Sequence, residues 1–133
     1  MIIAVDFDGT IVEHMYPEIG KPIPHAIETL RRLQEAGNQL ILWTVRSEKR
    51  LKEAVDFCKE QGINFTGINE NPGQKYWSGS IKAYAHVYID DAAFGCPLMT
   101  ATESNRPMVD WRPIIHYLET TDTIGKEILR SGH

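Results

Sequence analysis

Residues 1–14 read MIIAVDFDGTIVEH. The run Ile2-Ile3-Ala4-Val5 is apolar and mostly β-branched, the pattern of a strand buried on both faces of a sheet. It stops at Asp6, and Asp8, Gly9 and Thr10 follow at once. Two closely spaced carboxylates at the end of a buried strand need compensation, because a charge taken from water is costly unless it is paired.

Working outward, the chain alternates strand and helix. Residues 11–24 carry Pro17, Gly20, Pro22 and Pro24 and read as an irregular excursion or a short hairpin. Residues 25–36 read as a helix: Ala26, Leu30, Leu33 and Ala36 share a face, and Gly37 ends it. NQLILWT, residues 38–44, reads as a second buried strand ending at Thr44, with Trp43 expected in the core. SEKRLKEAVDFCKEQG, residues 47–62, reads as a second helix with Ser47 as N-cap, Leu51, Ala54, Val55 and Cys58 as its apolar stripe, and Gly62 as its stop. INFTGI (63–68) is a weaker strand, 69–80 a long loop, and AHVYIDD (85–91) another strand ending in carboxylates. Asp110 is placed to cap a last amphipathic helix whose Trp111, Ile114, Ile115 and Leu118 share a face. The tail after Thr120 has little pattern and reads as a short helix or loose chain. This alternation predicts an α/β fold, a three-layer Rossmann-like parallel sheet with helices on both faces. Ligands in such sheets bind beyond the carboxyl ends of the strands, where Asp6, Asp8, Thr44, Asp90 and Asp91 would all lie.

The bulk composition narrows the function classes. The length of 133 residues suits one domain, 1–133. Hydrophobic residues at 42% and charged residues at 24% are ordinary for a globular chain. The net charge of −4 and the absence of a basic block argue against nucleic-acid binding. No apolar run reaches the ~20 residues that cross a bilayer, and the start lacks a signal-peptide pattern, so a cytoplasmic protein without membrane partners is expected. Cys58 and Cys96 form neither a disulfide framework nor a zinc site.

Four aspartates at two strand ends would repel one another in a partly dry cleft. A bound cation removes that repulsion, and hard carboxylate oxygens suit Mg²⁺. An aspartate can also act as a nucleophile toward a phosphoryl group, provided its charge is neutralised by a metal, a lysine and hydroxyl or amide donors. Thr44 supplies a hydroxyl, and Lys82 or Lys75 an ammonium. A second carboxylate two residues on could protonate the leaving oxygen and then activate water. Arg46 either contacts substrate at the mouth of the cleft or is a surface residue at a helix start. His14, His25 and His86 lack metal-ligand spacing and read as structural or surface residues. Tyr76 and Trp77 either wall the substrate or anchor the 69–80 loop.

DFDGT resembles the Asp-x-Asp-x-Thr motif that opens members of the haloacid dehalogenase (HAD) superfamily, mostly Mg²⁺-dependent phosphohydrolases. LILWT is similar to that superfamily's second motif, VYIDD to its fourth, and Lys82 fits the lysine of its third. The resemblance covers residues 2–91, and the residues after 91 match no motif. It implies Asp6 as nucleophile and metal ligand, and Asp8 as general acid/base with its backbone carbonyl on the metal. It further implies Thr10 in the phosphate-binding loop, Thr44 and Lys82 on the phosphoryl oxygens, Asp90 as acidic metal ligand and Asp91 as its direct or water-mediated partner. Asp8 is then expected to sit away from carboxylate–metal contact, with negative charge as its neighbour. Neither 11–24 nor 45–81 has room for an inserted cap domain, so the chain reads as capless. Specificity must then come from local loops, a neighbouring subunit or a large substrate. The expected partner is a phosphorylated small molecule or macromolecule, and a homo-oligomer is possible. The alternatives are a phospho-accepting receiver domain and a catalytically idle binding protein on this fold. A receiver places its acceptor aspartate after the third strand, where this sequence has none.

Overall fold

The computed structural model describes residues 1–126. Four parallel strands form the central sheet: β1 (Ile2–Val5), β2 (Gln39–Leu42), β3 (Gly67–Ile68) and β4 (Val87–Ile89), in the order β3-β2-β1-β4. β1 lies between β2 and β4, with Val5 opposite Leu42 on one side and Ile89 on the other. A strand with neighbours on both sides has no solvent-facing edge, which is why Ile3, Ala4 and Val5 are all buried.

Three helices accompany the sheet: α1 (Ala26–Glu35), α2 (Glu48–Glu60) and α3 (Trp111–Thr120). α1 buries Ala26, Leu30 and Leu33, α2 buries Ala54 and Cys58, and α3 buries Trp111 and Leu118. These side chains join Ile3, Val5, Leu40, Leu42 and Ile89 in one core. Gly37 and Gly62 take positive φ just past α1 and α2, the left-handed turn that ends a helix without a Cβ penalty. The Asp110 carboxylate accepts from the Arg112 N–H, as an N-cap does. Ser47 occupies the N-cap position of α2 but makes no side-chain capping bond.

Two local expectations are corrected, and one pair of strands is new. Only Gly67–Ile68 of the segment 63–68 is strand, because Ile63 turns into the core and Asn64 N–H bonds to Gln34 instead of a neighbouring strand. The 69–80 loop contains a 3-10 turn, Pro72–Tyr76. Beyond residue 91 a small antiparallel pair forms, β5 (Leu98–Met99) with β6 (Met108–Val109). The tail expected after Thr120 falls mostly on residues 127–133, outside the described residues. Among the described residues no helix is long and apolar enough to cross a membrane.

The chain runs outward from β1 through β2 to β3, then returns to place β4 on the other side of β1. The carboxyl ends of β1 and β4 therefore flank the crevice where the strand order reverses, the usual ligand position in an open α/β sheet.

Candidate active site

Sheet hydrogen bonds fix the strand ends that carry the acids. Asp6 N–H donates to Ile89 O at 2.9 Å, Trp43 N–H to Val5 O at 2.8 Å, and Asn69 N–H to Leu42 O at 2.8 Å. Asp6, Thr44, Asn69 and Asp90 thus emerge side by side. They share a cleft of about 350 Å³ with Trp43, Val45 and Ile81.

Asp6, Asp90 and Asp91 each offer a carboxylate oxygen, and these atoms lie within 4.8 Å of one another. Burial, with the Asp90 charge adding to it, pushes the Asp6 carboxyl up to about 8. Asp90 is raised as well, first by burial and further by Asp91. Such crowding of anions is unfavourable by itself, and its chemistry is that of an oxygen-ligand site for a hard divalent cation. The donor set fits Mg²⁺.

The loop after β1 is built to hold this cluster. Thr10 Oγ1 donates to Asp6 Oδ2 at 3.0 Å and accepts from the Asp91 N–H at 3.2 Å, tying the two strand ends together. His14 Nε2 lies 2.8 Å from Asp91 Oδ2. Gly9, at φ +83°, leaves room for that contact: a Cβ there would come within 2.0 Å of His14 Nε2 and 2.6 Å of Asp91 Oδ2. From the other side, Val109 N–H donates to Gly9 O at 2.9 Å and the Trp111 indole to Thr10 O at 2.8 Å. The segment after residue 91, which matches no motif, therefore props the aspartate loop.

Asp8 points elsewhere. Its carboxylate is gripped by Arg46 in a two-armed fork, Nε to Oδ2 and Nη2 to Oδ1, both at 2.8 Å. Arg46 is 2% exposed. It also donates to the carbonyls of Glu18 at 2.9 Å and Pro17 at 3.2 Å, and lies about 5 Å from the ring centres of Phe7 and Tyr16. Both expectations for Arg46, a substrate contact and a surface residue, are corrected: its planar fork is consumed inside the fold. The expectation for Asp8 is corrected in part. It stands outside the carboxylate cluster as expected, but a guanidinium, not negative charge, is its neighbour.

Other expected residues divide in the same way. Thr10 is fully buried and steadies the carboxylates; it is not open to substrate. Thr44 lines the cleft, its Oγ1 accepting from the Arg46 N–H at 3.1 Å. Trp43, expected in the core, is half-buried and lines the cleft as well. Neither lysine reaches the aspartates: Lys82 Nζ sits 5.6 Å from the Tyr88 ring centre and Lys75 Nζ 5.4 Å from that of Tyr76. Ile81, not Lys82, faces the cleft. Tyr76 and Trp77 are exposed and do not line it; Trp77 packs edge-on against Tyr84. His86 is structural, accepting from the Ile2 N–H at 2.8 Å.

Two site residues escaped the sequence reading. His14 gave no spacing signal, because its partner Asp91 is 77 positions away. Asn69 follows β3, and its Oδ1 accepts from the Thr44 N–H at 2.7 Å, leaving its amide donors for the cleft. The convergence of strand ends in a parallel sheet was the signal that could have found it.

No protein-family model matches the chain, and no curated protein matches it. A solved structure of a conserved protein from Bacteroides thetaiotaomicron is 40% identical to it, over 92% of this chain and 90% of that one, with a TM-score of 0.72.

Proposed function

This chain belongs to one family with the conserved Bacteroides thetaiotaomicron protein, and from the chain's own residues we propose that it is a Mg²⁺-dependent phosphohydrolase of the HAD type. The observation that carries this reading is the meeting of Asp6, Asp90 and Asp91 within 4.8 Å at the crevice between β1 and β4. The same reading places helices on both faces of the sheet in three layers, with no cap domain. In its support, the stretch between Leu42 and Val87 is taken up by α2, β3 and a 3-10 turn. The unpaired Cys58 and Cys96 suit a reducing, cytoplasmic setting.

Asp6, Asp90 and the Asp8 carbonyl would hold the ion, with Asp91 beside them. When bound, Mg²⁺ supplies charge neutralisation that lets an anionic nucleophile approach an anionic phosphoryl group. The Asp6 carboxylate attacks phosphorus, and the bond from phosphorus to the leaving oxygen breaks. Thr10 holds Asp6 in line through its 3.0 Å hydrogen bond. The Asn69 side-chain amide and the Thr44 hydroxyl offer neutral donors to the phosphoryl oxygens. Asp8 takes up a proton from solvent as one arm of its Arg46 fork opens, delivers it to the leaving oxygen, and later takes one from the water that opens the aspartyl-phosphate. To do so it exchanges one arm of its Arg46 fork for that oxygen. β3 ends at Ile68 and Asn69 follows it, so the receiver arrangement lacks its acceptor aspartate. A cleft of about 350 Å³ suits a small phosphorylated molecule.

Aryl phosphate turnover with Mg²⁺, followed by rapid quench with labelled substrate, tests the reading. Asp6→Asn is expected to abolish turnover and all covalent label. Asp8→Asn is expected to lose most turnover and accumulate the phosphoryl-enzyme. Robust hydrolysis by the Asp6→Asn protein, or label retained on it, sinks the mechanism.

A further inference from the structure

Resting on the phosphohydrolase reading, we infer that the cleft selects phosphate monoesters of small apolar or aromatic alcohols and rejects substrates carrying a second anionic group. The floor of the cleft is acidic, from Asp6 and Asp90, and its rim is apolar, from Trp43, Val45 and Ile81. Val45 is 100% exposed and Ile81 95% exposed. Two bare aliphatic side chains from distant segments, lining one cleft that also holds Asp6 and Asp90, have no packing role to explain them. Burying their surface is favourable, and a ligand that covers it gains accordingly.

Charge points the same way. Among the described residues, no lysine, arginine or histidine lines the cleft. Of the cations weighed for this site, Arg46 is bonded to Asp8 and His14 to Asp91, while Lys82 lies over Tyr88 and Lys75 over Tyr76. One phosphoryl group is balanced by a divalent cation. A further carboxylate or phosphate on the substrate would face Asp6 and Asp90 with nothing to neutralise it. A polyhydroxylated leaving group would fare little better, since beyond the phosphoryl position its hydroxyls meet Trp43, Val45 and Ile81 and lose water without replacement. The chain positions Ile81 into the cleft and its neighbour Lys82 away from it, so the exclusion of positive charge is set by the backbone direction before β4.

The test is a homologous series of n-alkyl phosphates from ethyl to hexyl, whose leaving groups differ little in chemistry, with phenyl phosphate, a sugar monophosphate and 3-phosphoglycerate alongside. With Mg²⁺, kcat/KM is expected to rise about 2- to 4-fold per added methylene, the factor for burying one such group. The sugar phosphate and 3-phosphoglycerate are expected at least tenfold below hexyl phosphate. Val45→Ser and Ile81→Ser, at exposed positions where the fold tolerates change, are expected to flatten the chain-length slope. As a readout without turnover, n-alkyl phosphonates, whose carbon–phosphorus bond is not hydrolysed, are titrated into the parent protein with Mg²⁺, where affinity is expected to climb along the same series. Hydrolysis with a flat slope, or with preference for the dianionic substrate, overturns the inference and leaves the phosphatase reading standing. Chain-length-dependent phosphonate binding without any hydrolysis supports the apolar cleft and defeats the phosphatase reading. Absence of both defeats both. A change of oligomeric state in the serine variants overturns the inference, because Val45 and Ile81 would then be a contact between copies of the chain.

Discussion

Replacing Arg46 with methionine should be the most damaging change near the site, and its cost follows from geometry. Methionine keeps the aliphatic bulk between Phe7 and Tyr16 and removes the guanidinium. The Asp8 carboxylate, with only 16% of its side chain exposed, then loses both 2.8 Å bonds and keeps its charge. Removing one partner of a buried ion pair costs about 3–5 kcal/mol. The Pro17 and Glu18 carbonyls also lose a donor, but both residues are exposed and water replaces it, so they add little. With an unfolding entropy of about 2.1 cal/mol/K per residue, 133 residues convert that cost into a Tm fall of roughly 10–18 °C. Urea unfolding of the metal-free protein measures it directly. Adding Asp8→Leu to the methionine variant should recover about half of the loss or more, because it removes the stranded charge. A methionine variant within about 1 kcal/mol of the parent, or strict additivity in the double variant, would refute the reasoning and return Arg46 to the surface role read from its sequence position.

Three further outcomes are expected. Asp6, whose carboxyl is raised from 3.8 to about 8, contributes stability that is fully present below the unfolded value and is lost as pH rises through the folded one. Metal-free Tm should therefore decline between pH 5 and 8.5 more steeply than in Asp6→Asn, and Mg²⁺ should raise Tm more at pH 8.5 than at 5.5; equal shifts at both pH values would count against it. Gly9→Ala forces a Cβ toward His14 and Asp91 at φ +83°, so it should cost at least about 2 kcal/mol and weaken Mg²⁺ binding about tenfold; calorimetry showing parental affinity would contradict this. Glu13 is fully buried, and although burial alone would raise its carboxyl, bonds from Thr102, Glu103 and Ser104 outweigh it and hold it below the ordinary 4.5. That stability is present above the ordinary value and lost as pH falls through the folded one, so Glu13→Gln should cost about 2–4 kcal/mol at pH 7 and flatten the acid limb of an unfolding profile below about pH 4.5.

The sequence by itself determined the parallel α/β frame and the two acidic strand ends. Ile2–Val5 and Leu40–Leu42 are apolar on consecutive residues, the pattern of central strands in a parallel sheet, and the period-3.6 stripes of α1 and α2 pack into the same core. Once parallel order is granted, Asp6 and Asp90 must share one end of the sheet, so their meeting was legible in a string of letters. What only the tertiary structure decided concerns side-chain direction and distant partners. Asp8 and Arg46 are 38 positions apart and His14 and Asp91 are 77 apart, and no local periodicity encodes such pairs. Lys82 and Ile81 are neighbours in sequence, and which of them enters the cleft depends on the path of the backbone from the 3-10 turn into β4. An isolated lysine near a carboxylate strand looks like a phosphate ligand, but its direction is fixed by packing against Tyr88, a contact that exists only after the chain has folded.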